Sequence, residues 1–160
     1  MRPRHYLTIS AAALALLVWA EAASALIVPK RSIAGIELGM TRPEVRAAKG
    51  DPLRVKHRMN EFGAYTVFRY RKLTVIFQGN GGATNVATTR RHQYTAERIH
   101  VGSTETKLRN AYPGVHCATE TADLRHCWSG KLLPGHRVTD YRIGVSSGRV
   151  KRISVGFVID

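Results

Sequence analysis

Apolar positions fall into three regimes along the chain. A largely apolar run covers Leu7 to Ala20, helical spacing begins near Arg42 and again near Glu105, and most of the remainder alternates apolar with polar residues at a period of two. Alternation over 65–70 (YTVFRY), 73–77 (LTVIF) and 84–88 (TNVAT) predicts strands, the last two joined by a turn at Gly79-Asn80-Gly81-Gly82. A second set, 137–145 (RVTDYRIGV) and 149–159 (RVKRISVGFVI), predicts a further hairpin through Ser146-Ser147-Gly148. In its last strand Ile153, Val155, Phe157 and Ile159 share one face, and Arg152 and Ser154 share the other.

The helical stretches are short. Thr41 precedes Arg42-Pro43-Glu44, the pattern of a capping box in which the threonine hydroxyl and the glutamate each satisfy an unpaired amide. That helix continues through Val45, Arg46, Ala47, Ala48 and Lys49, and Gly50 with Pro52 ends it. In the later stretch Ser103 or Thr104 is the cap, Glu105 sits in the first turn, Leu108 and Ala111 face inward, and Pro113-Gly114 terminates.

These two openings echo each other. IELGMTRPEVRAAKGDP, beginning at Ile36, aligns with IHVGSTETKLRNAYPGV, beginning at Ile99, at an offset of 63 with five identities in seventeen positions. Average residue usage gives about one. The expected architecture is therefore α+β: two tandem repeats, about 33–95 and 96–160, each a short helical segment packed on an antiparallel β-sheet, within one mature domain spanning 26–160.

The segment GIELGMTRPEV, a short helix ending in glycine and proline, and the sheet that follows resemble the small lipoprotein of the outer-membrane β-barrel assembly machinery. The doubling of that unit, with a cysteine pair inside one repeat, is similar to the secreted β-lactamase inhibitor protein. The resemblance spans most of residues 33–160 and implies a helix-and-sheet tandem fold that binds proteins and does not catalyse. Two departures bear on it: no cysteine follows the expected cleavage site to carry a lipid, and no partner-contact residue of the inhibitor can be placed on this chain.

The first 25 residues have the form of a secretory signal peptide: basic Arg2 and Arg4, the apolar run, and Ala23-Ser24-Ala25 as an A-x-A cleavage site. The run is too short for the ~30 Å hydrocarbon core of a bilayer, and no later stretch approaches a transmembrane length. A mature chain in the periplasm or outside the cell, with no transmembrane segment, is expected. In that setting Cys117 and Cys127 are first a disulfide. The competing reading is a metal site, because His116 and His126 each precede a cysteine. If both segments are strands, alternation puts the histidines on the face opposite the sulfurs, which leaves His116 and His126 only as a weak pair for a metal.

The formal net charge of +14, with eighteen arginines against seven lysines, points to an anionic partner or to solubility combined with an arginine-rich composition. Arg54, Lys56 and Arg58 alternate, as do Arg69 and Arg71, so each set projects along a single strand face. Trp128 has two readings: a core residue, or an exposed anchor in an interface. No catalytic residue set, phosphate loop or cofactor motif is found in the sequence, and no nucleic-acid recognition motif. The expectation is a non-catalytic binding module for an extracytoplasmic protein, without a cofactor. A binder of anionic envelope polymer, lipid or extracellular nucleic acid is the alternative.

Overall fold

The computed structural model describes residues 26–159, so the expected signal peptide lies outside the described residues. Three two-residue strands come first: β1 (Ile27–Val28), β2 (Ser32–Ile33) and β3 (Ile36–Glu37). Helix α1 (Arg42–Lys49) leads into β4 (Arg54–Asn60), β5 (Gly63–Tyr70), β6 (Leu73–Gln78) and β7 (Ala83–Thr88). Helix α2 (Glu105–Ala111) leads into β8 (His116–Thr121), β9 (Leu124–Ser129), β10 (Arg137–Gly144) and β11 (Arg149–Phe157).

The expected α+β arrangement of two helix-on-sheet repeats is overturned. The protein is mostly β, and its eight long strands form one antiparallel sheet in the order β4-β5-β6-β7-β11-β10-β9-β8. Strands β7 and β11 join the two runs, with Val86 opposite Val155 and Thr88 opposite Ile153. The reason lies in the helices. At eight and seven residues they make about two turns each, and each fully buries one side chain, Val45 or Leu108. A single buried residue cannot cover a four-stranded sheet. The cover is completed by the small β1-β2-β3 sheet, which touches β7 and β11 and contributes Ile27, Ile33 and Ile36 to the same core as Phe68, Val75, Phe77, Val86, Tyr141, Ile153 and Val155.

The echoed positions have like local settings within this single sheet. Gly39 and Gly102 both adopt positive φ, 93° and 109°, a conformation that favours glycine. The Gly39 amide donates to the Ala83 carbonyl at 2.8 Å and the Ala83 amide returns to Met40 at 2.7 Å. Likewise the Gly102 amide donates to Val150 at 2.8 Å and the Val150 amide to Ser103 at 2.9 Å. Each loop is thereby clasped to one of the two central strands. Thr41 and Thr104 cap the helices that follow, and the Thr41–Glu44 capping box forms in full.

The alternating segments are strands close to where the pattern puts them. Ile153 and Val155 face the core, whereas Ile159 lies beyond the strand end and is exposed. Among the described residues, no helix is long and apolar enough to cross a membrane.

Candidate functional site

One face of the eight-stranded sheet is packed by the core; the other has no layer over it among the described residues. Register identifies what this open face carries. Across β4 and β5, Arg54 is opposite Arg69, Lys56 opposite Val67 and Arg58 opposite Tyr65. In the centre Arg142 is opposite Arg152 and Asp140 opposite Ser154. At the far end Asp140 is opposite Trp128, and Arg142 opposite His126. Since residues directly opposed in an antiparallel pair share a face, these side chains form one continuous surface.

The surface is basic at its β4 end. The charges of Arg54, Arg69 and Arg58, together with partial desolvation, lower the pKa of Lys56, the sign of an uncompensated positive field. In the centre, burial and then the charge of Arg142 lower the pKa of Arg152. A groove of about 550 Å³ runs here, walled by Tyr65, Asn85, Arg142 and Arg152.

At the β8 end the same face dips into an apolar cup of about 380 Å³, with Ala118, Trp128, Leu132 and Val138 in its lining and Glu120, His126 and Asp140 at the polar side. Trp128 is half-buried, its ring 5.8 Å from that of His116. Neither of its two expected settings is met in full: it is outside the core, yet only partly exposed. The Nδ1 of His126 lies 2.8 Å from an Asp140 carboxylate oxygen, and its Nε2 contacts Glu120. A neutral imidazole donates from one nitrogen only, so both contacts are hydrogen bonds when the ring is protonated. Arg142 also approaches Asp140, at 4.0 Å. The two carboxylates are thus occupied, and what the cup offers a ligand is chiefly an apolar recess of side-chain size.

Cys117 and Cys127 are directly opposed on β8 and β9 and form the disulfide, with Cα atoms 4.0 Å apart. Cys127 is wholly buried in the core. Both histidines accordingly lie on the open face. They do not form a shared site, because the His116 ring lies beside Trp128, tilted against it, while His126 engages the two carboxylates. Glu105, Cys117 and Cys127 are the one group of three potential metal ligands close together among the described residues, and its two sulfurs are bonded to each other.

Of the candidate binding residues, Arg54, Lys56, Arg58, Arg69 and Trp128 share the open face. Arg71 does not: it sits in the turn after β5, where its carbonyl accepts from the Arg90 guanidinium at 3.2 Å, within a separate basic cluster that includes Lys72 and Arg91. Glu120, Leu132, Val138, Asp140 and Arg142 went unnoticed in the sequence. The alternation that placed Arg152 and Ser154 on one face would also have placed Val138, Asp140 and Arg142 together, but the neighbours of β10 depend on strand order, which alternation does not encode.

No protein-family model matches the chain, and no curated protein matches it. Among solved structures it is similar to the crystal structure of a DUF4309 family protein (YjgB) from Bacillus subtilis, at 13% identity over 89% of this chain and 93% of that one, with a TM-score of 0.48.

Proposed function

We propose that this chain is an exported, non-catalytic binding module that docks an extracytoplasmic protein on the open face of its eight-stranded sheet. The observation that carries the reading is the uncovered face itself: an antiparallel sheet with one side packed needs only polar residues on the other, yet this side holds a tryptophan-lined recess and a continuous basic surface. A partner of matching chemistry presents an acidic patch to Arg54, Lys56, Arg58 and Arg69 and inserts an apolar side chain beside Trp128. The recess is the kind of pocket that hot-spot residues fill, and the basic surface supplies steering and register. The Cys117–Cys127 bond supports export, since disulfides persist in oxidising compartments.

The gathering of Arg54, Lys56, Arg58 and Arg69 on one face of β4 and β5 favours a second reading, in which the basic end binds an anionic polymer without the cup. Capture from the source envelope and medium on the immobilised protein separates the two. Under the first reading a protein stays bound beyond about 0.3 M salt, where the Debye length is about 5 to 6 Å, and is lost from W128A. Broad low-salt release of polymer, equal for wild type and W128A, would overturn it in favour of the second.

A further inference from the structure

The sheet has two edges, and they differ. At one, the pairing of β8 with β9 is broken by a register shift between Thr119 and Thr121, and β8 is stapled to β9 by the disulfide. Such irregularities are one way in which proteins blunt an edge against pairing with another chain. At the other, β4 runs seven residues in unbroken register with β5, and every residue of it except Lys56 is exposed. Its outer row of backbone donors and acceptors is a template for one more strand.

Side chains on this edge are sorted by face. Arg54, Lys56 and Arg58 point to the open face, and Val55, His57 and Met59 to the other. Val55 and Met59, with Leu53 before the strand and Phe62 after it, gather four of the protein's exposed large hydrophobic residues at one edge. Pairing of β4 with a second copy of itself would set basic rows side by side on one face, and like charges across strands are destabilising. The chemistry instead fits an extended peptide that alternates acidic with apolar residues.

We infer that β4 is a strand-addition site for an extended segment of a partner protein, about seven residues long, with carboxylates in line with Arg54, Lys56 and Arg58 and apolar side chains in line with Val55 and Met59. Main-chain hydrogen bonds would supply affinity and the two-residue alternation specificity. The inference rests on the protein-binding reading, but it concerns a strand edge remote in sheet order from the Trp128 recess.

The test uses two capped heptapeptides of identical composition and charge, EVEVEVE and EEEEVVV, titrated into the oxidised protein by fluorescence anisotropy at 0.15 M salt, with amide hydrogen exchange on the complex. The expected result is at least tenfold tighter binding of the alternating peptide, with new protection confined to β4 amides. The variant R54E/K56E/R58E should exchange that preference for KVKVKVK, and if this variant does not fold, the wild-type peptide comparison and exchange pattern decide by themselves. Equal binding of the two acidic peptides, protection elsewhere, or no binding at 1 mM would overturn the inference. So would β4 protection that rises with protein concentration in the absence of peptide, which would make the occupant a second copy. None of these results depends on Trp128, so loss of a captured partner in W128A stands or falls separately.

Discussion

Reduction of the Cys117–Cys127 bond isolates what the staple contributes, because the two thiols that remain leave no cavity where Cys127 is buried. The bond closes a loop of sequence separation 10, and the loop-closure relation then gives about 2.7 kcal/mol of stabilisation through the unfolded chain. For a domain of this size a urea dependence of about 1.5 kcal/mol/M turns this into a midpoint lowered by about 1.8 M on reduction. Equilibrium urea unfolding followed by Trp128 fluorescence, with and without reductant at constant pH, measures the shift. A C117A/C127A variant should fall further than the reduced wild type, since it also empties core volume beneath β9. A midpoint that moves by less than about 0.3 M on reduction would refute the reasoning, and would mean that the β8–β9 hairpin is already closed in the unfolded ensemble.

Three further outcomes follow from local chemistry. Hydrogen bonds from Arg125, with Arg109 assisting, hold the Glu105 carboxyl below its ordinary pKa, so its contribution is present above about pH 4.3 and is lost as pH falls through the folded value. E105Q should therefore lose stability relative to wild type at neutral pH, with the gap closing in acid. Burial and a hydrogen bond to Glu97 push the Tyr112 hydroxyl up to about 12, so stability should decline as pH rises from the ordinary tyrosine value of about 10 towards 12; Y112F should make that slope shallower in alkaline unfolding titrations, leaving the part due to Tyr70 and Tyr141, whose hydroxyls burial also raises. A Cβ at Gly82 would lie 2.0 Å from the Gly39 carbonyl oxygen, in the clasp between the β3–α1 loop and β7. G82A should cost about 2 kcal/mol or more in thermal or urea unfolding, while G81A, whose Cβ would meet the Gln78 carbonyl oxygen at 3.5 Å, should stay within about 0.5 kcal/mol.

The local elements were legible because they are written in local chemistry. Thr41 with Glu44 announces a helix start, Gly50 its end, and the alternation of YTVFRY and RVKRISVGF announces strands whose apolar rows face a core. What failed was the step from elements to layers. An amphipathic run beginning at Arg42 or Glu105 has the look of a covering helix, but its buried side is a single residue, and the cover comes partly from Ile27, Ile33 and Ile36 on two-residue strands too short to leave a periodic trace. Strand order was likewise invisible. Nothing in the residues of β7 and β11 announces that they are neighbours, and it is that contact that makes one eight-stranded face from two runs. The Trp128 recess depends on the same fact of order, since β8, β9 and β10 bring Ala118, Trp128 and Val138 together only as neighbours. The basic row Arg54, Lys56 and Arg58 needed only alternation within one strand, and its shared face could be read from sequence.

The most direct test of the open face as a docking surface is the affinity of the captured protein for wild type and for W128A, each at 0.1 M and 0.5 M salt. A buried hot-spot anchor is worth about 2 kcal/mol or more, so W128A should bind at least about thirtyfold more weakly at both salt concentrations. Unchanged affinity in W128A, with binding of both proteins abolished at 0.5 M salt, would contradict the account and leave the basic surface as the sole source of attraction.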